Sequence, residues 1–204
     1  MALYRRSAVT GGIFFLFLWA FLTKAEALEF EGRIQASNGG IKNAVVYFLD
    51  EGLRTNAAGN PVAVLDQKDY DFEPHVLIVL PGQSFLIKNS DPQAHDVRIF
   101  EGPQMIFRAE MSAGMPPLSK RLDQPGIYTV RCGVHHRMHS YVVPAANSFY
   151  ALTDAGGNIR IADLKPGHHT LRIWQEDLGQ VDLPLELKDS RSHFSYTFQN
   201  KNNP

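Results

Sequence analysis

Short apolar runs separated by turn residues make up most of the chain after residue 28. The runs are rich in Val, Ile, Phe and Tyr, and none keeps the three- and four-residue spacing of an amphipathic helix. Gly, Pro, Asn and Asp between them favour turns. The pattern predicts a loop over 101–117, and strands over 28–34, 44–49, 75–80, 84–88, 96–100, 126–131, 141–143, 158–161, 169–174 and 192–198. Strands at this interval indicate an all-β sandwich.

The first 27 residues have a different pattern. Arg5 and Arg6 precede an apolar stretch over 8–23, and the Ala-Glu-Ala sequence at 25–27 is typical of a cleavage site. The stretch is shorter than the roughly 20 residues of a membrane-spanning helix, and a retained anchor is the alternative. We therefore expect residues 1–27 to be a signal peptide, the rest of the chain to be periplasmic, and no stable membrane span after cleavage.

Composition and charge limit the possible classes of protein. The 204 residues are 44% hydrophobic and 20% charged, as in globular proteins. Because 20 Lys and Arg are balanced by 21 Asp and Glu, nucleic acid is not an expected partner. The single cysteine, Cys132, cannot form an internal disulfide, and an unpaired thiol in an exported protein is a liability unless something occupies it.

Four residues carry side chains that bind soft or borderline metals: His95, Cys132, His135 and Met138. The last three follow one predicted strand with the spacing Cys-x2-His-x2-Met, and His95 follows an earlier strand. A thiolate, two imidazoles and a weak thioether form the ligand set of a blue-copper site. The sequence therefore predicts one type 1 copper, which cycles between Cu(I) and Cu(II).

Other histidines need separate interpretations. His136 and His139 flank the ligand loop and are alternative ligands in place of His135 or Met138. For His75, at the start of a predicted strand, we expect a local hydrogen bond. His168 and His169 follow a Pro-Gly turn, which favours exposure to solvent.

The motifs around the four candidate ligands resemble those of the cupredoxins. They are Phe72-x-Pro74, Pro81-Gly82, Asn89-x-Asp91-x3-His95-x-Val97, Pro125-Gly126-x-Tyr128 and Cys132-x2-His135-x2-Met138. The short ligand loop is similar to that of amicyanin, whereas plastocyanin-type loops are longer. The resemblance covers residues 62–143 and implies an eight-stranded Greek-key sandwich that holds a type 1 copper.

Two positions depart from the cupredoxin pattern. Asp96 follows the first ligand, where Asn is common, and Val134 stands where Pro often precedes the second histidine. Neither departure removes a ligand. An ionised Asp96 beside the site favours the more positive, oxidised copper, so we expect a lowered reduction potential.

A second resemblance divides the rest of the chain. Residues 149–174 resemble a segment of carboxypeptidase regulatory-like, transthyretin-like β-sandwiches, and the first strands of such a domain are present upstream, in Glu31-Gly32-Arg33-Ile34 and Asn43-Ala44-Val45-Val46-Tyr47. We predict a signal peptide over 1–27, the first strands of a split sandwich over 28–56, a cupredoxin domain over 62–143, and the remainder of the split sandwich over 144–200. The alternative is that residues 28–50 begin an enlarged cupredoxin. The arrangement also resembles bacterial proteins described as methylamine-utilisation-like.

Alternation along two strands of the split sandwich predicts which side chains share a core. Every second residue of a strand faces the same side. We therefore expect Val45 and Tyr47 to face the same core as Ile159, Ile161 and Trp174.

The function implied by the cupredoxin resemblance is single-electron transfer between periplasmic redox partners. His135, on the loop, is the expected electron port to an unidentified redox protein. Arg98, Arg131 and Arg137 form a basic rim for an acidic partner, or else are solvated strand ends. An enzyme is not expected, because the chain lacks the His-x-His pairs of multicopper oxidases and a Gly-x-Ser-x-Gly nucleophile motif.

The alternative function is a periplasmic copper carrier or storage protein without redox turnover. In that case additional soft donors make transient copper contacts: His75, His136, His139, Met105, Met111 and Met115. Colour separates the two functions, since a carrier that holds only Cu(I) is colourless.

Overall fold

The computed structural model describes residues 28–50, 62–188 and 191–199, and that part of the chain contains strands and no helix. The prediction of an all-β protein is confirmed. The predicted signal peptide lies outside the described residues, as do the end of the 28–56 segment and residue 200. Among the residues described, no helix has the length and apolarity needed to cross a membrane.

The described residues form seventeen strands. They are β1 (Leu28–Ala36), β2 (Gly39–Gly40), β3 (Val45–Phe48), β4 (Ala63–Lys68), β5 (Asp71–Glu73), β6 (Val76–Val79), β7 (Ser84–Asn89), β8 (His95–Glu101), β9 (Gln104–Met111), β10 (Leu118–Arg121), β11 (Tyr128–Cys132), β12 (His139–Pro144), β13 (Tyr150–Leu152), β14 (Asn158–Leu164), β15 (Gly167–Gln175), β16 (Gly179–Leu187) and β17 (Arg191–Thr197). All ten predicted strands are present. Short alternating runs between turn residues were thus a sufficient signal for them.

Strands β4 to β12 form what we call the inner sandwich. One of its sheets has the order β10-β7-β4-β5 and the other the order β6-β12-β11-β8-β9. The space between the sheets is filled by an apolar cluster that also contains Cys132 and Met138. The two candidate sulfur ligands therefore belong to the hydrophobic core of a continuous stretch of chain.

The prediction of a loop over 101–117 is wrong for most of that range and holds for residues 112–117. Residues Gln104–Met111 form β9, which pairs antiparallel with β8 from His95 to Glu101, with one irregularity between Ile99 and Phe100. Because β9 is an edge strand with mostly exposed or half-buried side chains, its sequence lacks the apolar alternation of a core strand. The backbone ladder, rather than side-chain burial, defines this strand.

The remaining strands form what we call the split sandwich. Its sheets have the orders β14-β1-β17, with β2 added to β1, and β13-β3-β15-β16. Strands before residue 50 thus pair with strands after residue 150, and the Ala44 N–H donates to Thr153 Oγ1 across 109 residues of sequence. In the described residues, β1 and β3 pair with no strand of the inner sandwich, so they are not the first strands of an enlarged inner sandwich. The carboxypeptidase regulatory-like family of the split sandwich stays a prediction.

The two sandwiches pack against each other through one sheet each, so that four sheets are stacked. Val45, Tyr47 and Trp174 of the split sandwich join Val76 and Val143 of the inner sandwich in one buried cluster. The split sandwich's own core is a separate cluster. It holds the alternate residues of β3 and β15, which are Val46, Phe48 and Ile173, together with Ile159 and Ile161 of β14.

The predicted grouping of core residues is therefore wrong in part. Val45, Tyr47 and Trp174 do share one buried cluster, but Ile159 and Ile161, in β14 of the other sheet, face the split sandwich's own core. All four residues of β3 are buried, because one face of the strand meets the split core and the other meets the inner sandwich. With both faces apolar, alternation in the sequence does not say which parity faces which core.

Candidate metal centre

Three predicted ligands meet at one point of the inner sandwich. The Nδ1 atoms of His95 and His135 lie 3.1 Å apart, and each lies 3.7 Å from the Sγ of Cys132. His95 begins β8 and Cys132 ends β11, and these strands are neighbours in one sheet. The sheet therefore holds two donors side by side, and the loop after β11 brings the third.

A buried carboxylate orients the first imidazole. His95 Nε2 lies 2.9 Å from Asp91 Oδ2, and both side chains are almost fully buried. Burial by itself raises the pKa of Asp91, but hydrogen bonds from the backbone N–H groups of Tyr70 and Asp69 and from His95 hold it below its usual range. An ionised carboxylate only accepts, so His95 Nε2 carries the proton and the Nδ1 lone pair faces the thiol and the other imidazole.

The turn between β4 and β5 completes this arrangement. Asp69 and Tyr70 both have positive φ angles, 55° and 60°, and their N–H groups donate to the two oxygens of Asp91 at 2.7 and 3.1 Å. The same turn places the Tyr70 ring edge-on to His135, with centroids 5.1 Å apart, and 6.2 Å from the His95 ring. One strained turn thus fixes both the carboxylate and an aromatic cover for the site.

Backbone hydrogen bonds close the ligand loop after β11. The Cys132 N–H donates to the Met138 carbonyl at 3.1 Å, the Met138 N–H donates to the His135 carbonyl at 3.0 Å, and the His135 N–H points at Cys132 Sγ at 3.5 Å. Met138 is 1% exposed and belongs to the same core cluster as Cys132. The loop therefore buries the Met138 side chain in the same apolar cluster as Cys132.

Gly133 follows the thiol at a crowded position of the loop. Its N–H donates to the Asp96 carbonyl at 2.7 Å. A Cβ at this position would lie 2.3 Å from both Asp96 Oδ2 and Arg98 Nη2. Because Asp96 is buried, a side chain here would displace an ion pair rather than a mobile surface group, and only glycine fits.

The expected effect of Asp96 on the reduction potential is not supported by its surroundings. Asp96 Oδ1 accepts from Arg108 Nε at 2.8 Å, and Oδ2 accepts from Arg98 Nε at 2.9 Å. Hydrogen bonds from Arg108 and then from Arg98 hold the pKa of Asp96 below its usual range despite burial. The carboxylate is therefore ionised, as assumed, but two guanidinium groups offset its charge, and the lowering of the potential that we expected from it loses its basis.

The donor atoms fit a metal of the size and type predicted. The centre of the triangle formed by the two Nδ1 atoms and Sγ lies about 2 Å from each corner, which is the length of a metal–imidazole bond in proteins. Lone pairs of two imidazoles and a thiolate pointing at one buried centre repel one another unless a proton or a cation lies between them. Soft sulfur with two imidazoles suits copper better than magnesium or calcium.

The alternative ligands do not join this group. His136 is exposed, and His139 Nε2 instead lies 3.5 Å from Glu176 Oε2. Of the methionines invoked for a copper carrier, Met111 is fully buried in the inner core, where it accepts from Gln67 Nε2. It is therefore not available for transient copper contacts at the surface.

Three features of the region were missed from the sequence. Asp91 was part of the recognised motif, but its role depends on a bond to His95 that the four-residue separation only suggests. Tyr70 gave no signal, because it lies 25 residues before His95. The group formed by His75, His139 and Glu176 joins residues 101 positions apart, and no local spacing reveals it.

The known proteins that resemble this chain are solved structures. No protein-family model and no curated protein matches the chain. Among solved structures, a purple cupredoxin from Nitrosopumilus maritimus is 16% identical, with 40% of this chain and 97% of that chain covered and a TM-score of 0.36. Amicyanin from Paracoccus versutus is 16% identical, with 48% and 95% covered and a TM-score of 0.37.

A copper-containing nitrite reductase from Thermus scotoductus SA-01 is also similar in structure. It is 19% identical, with 44% of this chain but 25% of that chain covered and a TM-score of 0.37. Each similarity spans less than half of this chain. What the centre can do therefore has to follow from its own side chains.

Proposed function

We propose that the protein is an exported type 1 copper protein that transfers single electrons between redox partners, and that it is not an enzyme. The observation that carries this proposal is the convergence of His95 Nδ1, His135 Nδ1 and Cys132 Sγ on one buried point beside Met138. Copper bound there would supply a one-electron couple, since thiolate and thioether favour Cu(I) and imidazole serves both states.

The protein's part is to keep the donors in place while the charge changes. His95 is held by Asp91, Asp91 is held by two backbone N–H groups, and the loop of Cys132 and Met138 is closed by backbone hydrogen bonds. Because each donor is fixed by the sheet or by a loop bond, little rearrangement accompanies electron transfer. An electron carrier requires this rigidity. A protein that must release its metal does not.

The surface around His135 supports an exit for electrons at this point. His135 is half-buried, Tyr70 packs on its ring and is 49% exposed, and the neighbouring Val134 is 58% exposed. Exposed apolar side chains beside a redox centre suit a transient partner that must approach closely. Of the expected basic rim, Arg98 is engaged with Asp96, so Arg131 and Arg137 are left to favour an acidic partner.

The spectrum of the copper-loaded protein tests the proposal. A type 1 site gives an intense visible band from thiolate-to-copper charge transfer and a narrow copper hyperfine splitting in spin resonance. Reversible reduction and reoxidation, without loss of copper, is the expected behaviour. A protein that binds copper but stays colourless after oxidation would instead support the carrier function. Mass spectrometry of the exported form tests cleavage after Ala27.

A further inference from the structure

A second group of metal-binding side chains lies where the two sandwiches meet. His75 precedes β6 and His139 begins β12, both in the inner sandwich, while Glu176 follows β15 of the split sandwich. His75 Nε2 lies 2.9 and 3.0 Å from the two oxygens of Glu176, and His139 Nε2 lies 3.5 Å from Oε2. One potential ligand atom from each residue lies within 4.8 Å of the other two.

A hydrogen bond from Nδ1 of His139 leaves its Nε2 facing the Glu176 carboxylate. Its Nδ1 lies 3.1 Å from the Arg137 carbonyl oxygen. A carbonyl oxygen can only accept, so Nδ1 carries a proton. Nε2 is then the ring nitrogen that faces Glu176 Oε2 and the atom that could bind a cation.

A divalent cation held by these atoms would match known metal sites. A backbone carbonyl that accepts from one ring nitrogen fixes the tautomer and leaves the other nitrogen to bind metal. Two imidazoles and one glutamate are the protein ligands of several zinc sites, with a further position left to water. The site is partly exposed: the side chains of His75, His139 and Glu176 are 27%, 47% and 21% accessible.

We propose that His75, His139 and Glu176 form a second metal site, for a borderline divalent cation such as Zn²⁺ or Cu²⁺, that joins the two sandwiches. It contains no sulfur donor, so it differs in chemistry from the site at Cys132 and gives no thiolate band. His139 follows Met138 directly in the chain, so two consecutive residues contribute to the two different sites. A cation bound there would link Glu176 of the split sandwich to two histidines of the inner sandwich.

The test is a zinc titration of the full-length protein whose first site already holds copper, by equilibrium dialysis. We expect one further Zn²⁺ per chain, with the visible band unchanged, and a higher melting temperature because the cation binds only the folded state. With Cu²⁺ in place of Zn²⁺, a second spin-resonance signal with the wide splitting of a site without thiolate is expected. The two arms decide which cation binds more tightly.

Variants distinguish a specific metal site from nonspecific metal binding at exposed residues. Loss of an outer-shell partner costs about 10–100-fold in affinity, so Glu176→Gln, which removes a direct ligand, should weaken zinc binding at least about tenfold. Its matched controls are Glu186→Gln, a glutamate paired with the exposed Lys188, and His168→Asn, an exposed histidine. Both should bind zinc as the unchanged protein does.

His139→Asn provides a second variant that leaves the His75–Glu176 contact in place. Asn can still donate to the Arg137 carbonyl, so this change removes a ligand atom with little effect on the loop. If the unchanged protein takes up no second cation, or if Glu176→Gln and His139→Asn bind it as tightly as the controls do, the three residues form an ion-pair cluster and the proposal is wrong.

Discussion

Buried polar side chains occur in both sandwiches, but they have different partners. In the split sandwich, Asn147 donates to the Phe48 carbonyl, Thr153 accepts from the Ala44 N–H, and Gln175 accepts from two N–H groups of the following turn. These contacts satisfy backbone groups where the chain changes direction. They hold loops closed and orient no reactive side chain.

In the inner sandwich, two buried carboxylates at the candidate copper site bind other side chains. Asp91 holds His95, and Asp96 is held by Arg98 and Arg108. Such a network is stable only while each member is satisfied. Buried polar side chains therefore stabilise turns in the split sandwich, whereas those at the candidate copper site position ligands. Substitutions should separate these two effects.

The largest expected effect is that of Cys132→Ser in the inner sandwich. Serine has nearly the size of cysteine but offers no thiolate, so the visible band of the copper-loaded protein should disappear completely. Circular dichroism should show that the sheets remain. A band that persists in this variant would mean that the thiolate ligand has been assigned wrongly.

Asp91→Asn should weaken copper binding without removing the ligands. An amide orients His95 less strongly than an ionised carboxylate, and loss of such a partner costs about 10–100-fold in metal affinity. Competition with a copper chelator measures the effect. Asp123→Asn, at an exposed aspartate paired with Arg121, is the control and should leave the affinity unchanged. Equal affinities in the two variants would contradict the orienting role of Asp91.

Gly133→Ala should destabilise the ligand loop. The new methyl group would lie 2.3 Å from Asp96 Oδ2 and Arg98 Nη2, and overpacking of this kind costs about 1–3 kcal/mol. Urea unfolding measures the free energy of unfolding, and spin resonance of the copper-loaded protein should change with it. In the control Gly126→Ala, the nearest atom is 3.5 Å away, in Tyr128. A larger loss in that control than in Gly133→Ala would refute the packing argument.

Thr153→Val, in the split sandwich, should lower the stability of the protein without changing the copper spectrum. The shape of the side chain is kept, but the buried Ala44 N–H loses its acceptor, which costs about 1–3 kcal/mol of unfolding free energy. The absorption spectrum of the copper-loaded protein should not change, since Thr153 contacts no candidate ligand. A changed spectrum with unchanged stability would contradict the contrast between the two sandwiches.

The smallest expected effect concerns the acid stability of the split sandwich. Asp182 accepts two hydrogen bonds from Arg172, both of 2.7 Å, and these hold the pKa of Asp182 below its usual range. Its contribution is therefore fully present above the unfolded-state pKa of about 3.9 and is lost as the pH falls through the lower folded-state pKa.

Because the Arg172–Asp182 pair is partly exposed, that contribution should stay below about 1 kcal/mol. Urea unfolding at pH 6 and pH 3 should show a slightly smaller pH dependence in Asp182→Asn than in the unchanged protein. A larger pH dependence in the variant would contradict the sign of the effect.

The strands and ligands that the sequence predicts share a local signal. Cys132, His135 and Met138 are close in sequence, and ten strands have apolar runs between turn residues. Strand β9 lacks that signal, because most of its side chains are exposed or half-buried at a sheet edge. Strand β16 does alternate apolar and polar residues, but Pro184 within the run argues against a strand, and it is tolerated there because β16 is also an edge strand. Edge strands are defined by a neighbour's backbone, which the local sequence does not describe.

Contacts between distant segments could not be predicted in the same way. Tyr70 reaches His135 through a turn with positive φ angles, and Glu176 reaches His75 across the junction of the sandwiches. The faces of β3 are similarly undetermined, because both are apolar. Each depends on how two sheets are placed against each other, and a pattern of period two carries no such information.

The pairing of strands before residue 50 with strands after residue 150 has a consequence for biosynthesis. A chain is made from its N-terminus, and domains fold as units as they emerge. All strands of the inner sandwich are available once Pro144 has been synthesised, while β1 and β3 still lack β13 to β17. The inner sandwich can therefore fold first, and its folding shortens the distance over which the two parts of the split sandwich must find each other.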